Sequence, residues 1–287
     1  MLSVGEALER FISSLELTEG QRDDVSRQHT MVREELSRRL AGCETSFLSG
    51  SYSRNTAIRP LHDVDIFTVM GRASSTPPET PDAALKRVRQ ALHEAWSNKV
   101  PPRLQQHSVH LAFTTSPIQF DVVPAYQHPQ QELFLIPEGN TGRWIRTNPR
   151  IHKDLSTDAN ERAGKKFKPL IKAVKYWNRQ HGSSPLRSFH LEVMGYEAFP
   201  QAPMGYLEGL HTLFAFMASR VDRPAPDPAG LGGIVDARMT PGQRTAARNA
   251  FQGAARTVKL ALSERDSSPE QAHLRLRTLF GEAYRYR

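Results

Sequence analysis

"FLSGSYSRNTAIRPLHDVDIFTVM", residues 47–70, sets two carboxylates, Asp63 and Asp65, one position apart in an otherwise apolar segment. Residues two apart on a strand face the same way. Asp63 and Asp65 therefore project together, and Val64 and Ile66 point to the opposite, core side. Removing one carboxylate from water is costly, and a like charge beside it adds to the cost. A divalent cation between them relieves the repulsion, and hard oxygen ligands suit magnesium or manganese. "IQFDVVPAY", residues 118–126, places a third carboxylate, Asp121, inside another apolar run. If that strand lies beside "DVDI", three carboxylates meet at one edge of a sheet. That set can hold two ions about 4 Å apart, the arrangement used in phosphoryl and nucleotidyl transfer. A lone strand aspartate is more often a cap or half of an ion pair; three on two apolar strands are harder to assign that way. Upstream stands Gly50-Ser51. Glycine lets a ligand approach the backbone closely, and the following amides and hydroxyl can bind phosphate oxygens.

The flanking segments predict an α/β architecture in two lobes. Residues 4–40 read as a helix in two parts, with Thr18 as the N-cap of the second. A short strand at 45–49 and a helical turn before Pro60 lead into "DVDIFTVM", ended by Gly71. Pro81 opens a helix to about Lys99; "HSVHLAFTT" and "IQFDVVPAY" are strands joined at Ser116-Pro117, and "LFLIP" adds another. Beyond about residue 150 the pattern is helical: 164–179, 188–197, 206–220, 241–265 and 268–283, with the Pro/Gly-rich loop "DRPAPDPAGLGG" between. The expected division is a catalytic lobe at 1–155, its first helix packing across both lobes, and a helical lobe at 156–287, with a cleft between them.

The 38% hydrophobic content of the 287 residues supports a real core. The single cysteine, Cys43, excludes an internal disulfide and a cysteine-based zinc site, and eleven scattered histidines show no zinc-type spacing. The acidic, amphipathic start does not read as a signal peptide, and no apolar run approaches the roughly 18 residues of a membrane span. A cytoplasmic protein with no membrane partner is expected. A formal charge of +8 suits an anionic partner without choosing among them.

Gly50-Ser51, eleven residues, then "DVDI", with a later strand aspartate, resembles the signature of the DNA polymerase β-like nucleotidyltransferase superfamily. More narrowly, "GSYSRNTAIRPLHDVDIFTV" is similar to bacterial cyclic-oligonucleotide synthases, the cyclic GMP-AMP synthase/DncV-like enzymes of antiphage signalling. "WIRTNPRIH", "FKPLIKAVKYWNR", "SPLRSFHLEV" and "PDPAGLGG" extend the resemblance over roughly residues 45–235. It implies a bilobed polymerase β-like fold in which Asp63, Asp65 and Asp121 bind two Mg2+ ions, with Mn2+ a possible substitute. Gly50, Ser51, Lys175 and Ser188 would hold the donor triphosphate. Phe189, where relatives often carry tyrosine, would stack on a base or else serve the core. The implied reaction joins nucleoside triphosphates, without nucleic acid, into a cyclic di- or trinucleotide and releases pyrophosphate. The product would act on a separate effector protein; a monomer with a possible regulatory protein partner is implied. The rival enzyme reading is transfer to an RNA 3′ end, of the CCA-adding or poly(A) type. A third is a non-catalytic binding module with a degenerate transferase fold.

On the helix "KFKPLIKAVKYWNRQ", Phe167, Leu170, Ile171, Val174 and Trp177 form an apolar arc, and Lys168, Lys172, Lys175 and Arg179 a basic one. The basic arc reads mainly as a solvated face, with Lys175 at its border able to turn inward. Asn160 either caps that helix or faces a base edge. Trp144 and His152 read as structural.

Overall fold

Two capping boxes open the chain. Ser3 and Glu6 cap α1 (Val4–Ser14), and Thr18 and Gln21 cap α2 (Glu19–Arg39), as expected for Thr18. The computed structural model describes residues 1–61, 63–97, 100–114, 116–180 and 186–287. Its fold is mixed α/β, and it divides into two compact units, Leu17–His152 and a discontinuous one of Met1–Glu16 with Lys153–Arg287. Among the described residues no helix is long and apolar enough to cross a membrane.

The first unit is built on a seven-stranded sheet: β1 (Thr45–Leu48), β2 (Asp63–Arg72), β3 (Arg103–Leu104), β4 (Val109–Ala112), β5 (Gln119–Gln127), β6 (Phe134–Glu138) and β7 (Arg143–Thr147). The order is β1-β2-β5-β4-β3, with β6 on β5 and β7 on β6. β2 and β5 run parallel, and the other pairs are antiparallel. Even-numbered residues of β2 and β5, Val64, Ile66, Phe120 and Val122, pack in one core with α2 and α4 (Pro81–Ala95). Odd-numbered ones, Phe67, Val69, Val123 and Ala125, form a second core with Phe134 and Ile136. The face of that second core turns acidic where β2 and β5 begin, because Asp63, Asp65 and Asp121 continue the same odd-numbered rows. A short helix, α3 (Gly50–Ser53), links β1 to this end of β2.

The second unit gathers α1, the helix α6 (Phe167–Gln180), α7 (Ser188–Gly195), α8 (Tyr206–Arg220), α9 (Pro241–Glu264) and α10 (Pro269–Phe280). Phe167, Leu170, Ile171, Val174 and Trp177 of α6 are all buried, as their arc predicts. Trp177 meets Phe214 edge-on at 5.0 Å, and Phe11 of α1 lies 4.4 Å from Phe280. The division between units falls inside α5 (Pro149–Arg162).

Several sequence expectations need correction. Gly71 does not end β2; the strand runs on to Arg72 through a register shift, with Gly71 at φ +131. The helix opened by Pro81 ends at Ala95; its expected limit, Lys99, lies outside the described residues, as does Thr115 of "HSVHLAFTT". "RWIRT" is a strand and 149–162 a helix, two elements absent from the sequence reading. In the basic arc of α6 Arg179 is exposed and Lys168 half-buried, and Lys175, 2% exposed, is turned inward as its border position allowed; Lys172, at 1%, departs from the solvated face expected of it.

Candidate active site

The parallel register of β2 and β5 sets Asp65 directly opposite Asp121 and Asp63 opposite Gln119. On the far side of β5, β4 sets His110 directly opposite Asp121. Directly paired residues share a face, so one patch of sheet carries Asp63, Asp65, Asp121 and His110. His110 Nδ1 lies 3.0 Å from Asp121 Oδ1, and ligand-capable atoms of Asp63, His110 and Asp121 all fall within 4.8 Å of one another. Asp63 is exposed, Asp65 and Asp121 are partly buried, and His110 is buried.

The electrostatics match a site short of positive charge. Burial, then repulsion from Asp121, with a smaller part from Asp63, pushes the Asp65 carboxyl up to about 6, although Arg54 pulls the other way. Burial also raises Asp121, with Asp63 adding to it; the His110 hydrogen bond works against the rise. Clustered oxygen donors carrying unrelieved like-charge repulsion, with Asp63 open to solvent, fit a divalent cation.

Gly50 touches this cluster. It sits at φ +63, and a Cβ built on it would lie 1.6 Å from Asp65 Oδ2. Only glycine permits both that backbone conformation and that approach. The neighbouring Ser49 N–H donates to the Asp65 carbonyl at 2.8 Å. The Ser51 carbonyl accepts the Thr56 and Ala57 N–H groups at 2.9 and 3.1 Å, which pins the loop. Gly50 thus stands against Asp65, with Ser51 next to it in the chain.

Lys175, Ser188 and Phe189 belong to the helical unit. Lys175 Nζ donates to Glu192 Oε1 at 2.6 Å, and both side chains are buried. Lys172 is likewise committed, to Glu16 at 2.6 Å. Ser188 and Phe189 are the first two residues of α7 and are partly buried. The approach to α7 is held by Asn178, whose amide donates to the Leu186 carbonyl at 2.9 Å and accepts its N–H at 3.0 Å. Asn160 is a cap: its Oδ1 accepts the Lys168 N–H at 3.0 Å. Trp144 Nε1 donates to the Glu79 carbonyl, and His152 is buried, as structural roles require.

His110 is the residue that sequence reading missed. "VHLA" gives no sign of it alone; only its pairing with "FDVV" brings the imidazole to Asp121.

The family model described as "Second Messenger Oligonucleotide or Dinucleotide Synthetase domain" (SMODS) matches residues 2–160. A cyclic AMP-AMP-AMP synthase of Acinetobacter sp. is 30% identical over 185 residues, which cover 60% of this chain and 52% of that protein. A probable cyclic nucleotide synthase of Bacillus cereus is 25% identical over 217 residues, covering 64% of this chain and 65% of its own. The chain thus spans about half to two thirds of the length of these curated relatives. In fold it is similar to Escherichia coli CdnC, solved in a complex with HORMA-deltaN, with 20% identity, a TM-score of 0.79 and 98% of each chain covered. It is also similar to the Vibrio cholerae DncV cyclic AMP-GMP synthase, with 13% identity, a TM-score of 0.80, and 100% of this chain and 98% of that one covered.

Proposed function

The chain belongs to the SMODS family of second messenger oligonucleotide or dinucleotide synthetase domains, and from that premise we propose that it is a metal-dependent nucleotidyltransferase making a cyclic di- or trinucleotide. The observation that carries this reading is the register pairing of Asp65 with Asp121, with Asp63 on the same face. In this reading Asp63 and Asp65 bind the cation that accompanies the donor triphosphate, and Asp121 completes the set for a second. Mg2+, or Mn2+ in its place, would neutralise phosphate charge and acidify the attacking ribose hydroxyl. Asp121, beside that second cation, is the candidate to take the hydroxyl proton. Gly50 and the backbone after it offer the phosphates a close approach. Ser188 is offered as a phosphate contact and Phe189 as a base-stacking platform. A phosphate contact from Lys175 requires it to share or leave Glu192.

The relative named for cyclic AMP-AMP-AMP makes ATP the first substrate to test. The CdnC complex with HORMA-deltaN makes a regulatory protein partner worth testing. Pyrophosphate release, a cytoplasmic setting, a separate effector protein and an antiphage role complete the proposal.

Incubating the protein with all four nucleoside triphosphates and magnesium, then manganese, without RNA, should give a soluble, phosphatase-resistant product identifiable by mass spectrometry. Asp65→Asn or Asp121→Asn should lower its formation by about a hundredfold or more. Wild-type-like turnover by either variant would sink the assignment. Label appearing only in added RNA would instead support 3′-end transfer.

A further inference from the structure

His110 lies in a strand whose neighbours Val109 and Leu111 are fully buried and apolar. A β-branched residue would pack there without polar cost. His110 is 6% exposed, and its Nε2 is buried with no hydrogen-bond partner among the described residues. Nδ1 faces Asp121 Oδ1 at 3.0 Å. These two facts select the tautomer. With the hydrogen on Nε2, a buried donor would be unmatched and two lone pairs would oppose each other at Nδ1 and Oδ1. With the hydrogen on Nδ1, the contact is a hydrogen bond and Nε2 is a bare lone pair with no hydrogen to place.

We infer that His110 is a positioning residue for Asp121: its Nδ1–H donates to Oδ1 and fixes the carboxylate plane, leaving Oδ2 to the cation and the attacking hydroxyl. The inference rests on the carboxylate site proposed above. An aspartate has a broad, soft torsion at its carboxylate. A ligand that must meet an ion at short range gains from a partner that holds that torsion, the usual role of groups standing behind metal ligands. The strand pairing supplies this partner without any loop, because His110 and Asp121 are register partners in one sheet.

Asparagine and glutamine separate this role from mere filling of space. His110→Asn carries an amide N–H near the place of Nδ1; His110→Gln carries it near that of Nε2. The measurement is Mn2+ binding by electron paramagnetic resonance, with a non-hydrolysable ATP analogue present, alongside kcat and melting temperature. His110→Ala and His110→Gln should each weaken Mn2+ binding and lower kcat by about tenfold or more, and His110→Asn should stay within about threefold of wild type. Equal losses in the Asn and Gln variants at equal melting temperature would overturn the inference, as would wild-type Mn2+ affinity in His110→Ala. Nitrogen coupling to Mn2+ in pulsed spectra of the wild type would also overturn it, since His110 would then be a ligand. Asp63→Asn is the control. If it binds Mn2+ like wild type, the carboxylate site itself is wrong; if it alone loses Mn2+, only the role of His110 is wrong.

Discussion

A methyl group at residue 50 has nowhere to go. Built on Gly50, it would lie 1.6 Å from Asp65 Oδ2, 2.5 Å from its Cγ and 3.1 Å from its Cβ. The whole short side chain would have to move, since turning the carboxylate alone leaves the other two contacts. The φ of +63 adds about 1–2 kcal/mol for any L-residue. Gly50→Ala should therefore fold with a melting temperature lowered by several degrees, and its product formation should fall about a hundredfold or more because Asp65 is displaced. A variant with lowered stability and undiminished turnover would show that the approach of Gly50 to Asp65 has no catalytic bearing. Asp65 itself is held at an energetic cost. Its folded pKa of about 6 lies above the ordinary 3.8. The penalty is absent below the unfolded value and grows as pH rises through the folded one. In EDTA at about pH 7.5, Asp65→Asn should be more stable than wild type by on the order of 2 kcal/mol, an advantage that fades towards pH 4. Equal unfolding free energies at both pH values would refute this reading of the site's strain.

At the scale of elements, α6 shows what a helical projection can and cannot say. Its apolar arc was legible because Phe167, Leu170, Ile171, Val174 and Trp177 recur at helical spacing. The burial of Lys172 and the partner of Lys175 were not, because Glu16 and Glu192 stand 156 and 17 residues away. The same limit hid His110, whose partner lies on another strand. A different one hid α5: its buried positions include Ser156 and Ala159, small residues that give no hydrophobic period. By contrast the carboxylate cluster was readable, since alternation fixes the face of each aspartate and only the adjacency of two strands had to be assumed. The buried Lys175–Glu192 pair yields a prediction at this scale. Glu192→Leu removes one half of a buried ion pair and should cost about 3–5 kcal/mol in chemical denaturation. Lys175→Met/Glu192→Leu should recover most of that loss. If the recovered double variant also turns over nucleotide like wild type, Lys175 has no phosphate role and serves only to join α6 to α7.

At the scale of the whole molecule, the two units carry titratable groups of opposite sign. In Leu17–His152 the Asp65 carboxyl is raised to about 6, so this unit gains stability as pH falls from about 7.5 to 5, by about 1 kcal/mol from that group. Burial and then Arg33 hold His29 low, which opposes part of the gain. In the other unit His190 is held below 6.5 by burial, which with Arg244 and Arg220 outweighs the attraction of Asp236. Burial also lowers His273 there. A histidine kept neutral in the folded state stabilises it above the unfolded pKa and loses that contribution as pH falls, because the unfolded chain then binds the extra proton. Mild acid should therefore strengthen the sheet unit and weaken the helical one. The tryptophans allow each to be followed separately: Trp96 and Trp144 lie in the first unit and Trp177 in the second. Trp177→Phe reports the sheet unit, and Trp96→Phe/Trp144→Phe the helical one. In urea with EDTA, the fluorescence midpoint of the first variant should rise between about pH 7.5 and 5, and that of the second should fall. Midpoints that move together, or coincide at both pH values, would mean that the chain unfolds as one cooperative body whose pH response cannot be divided between its units.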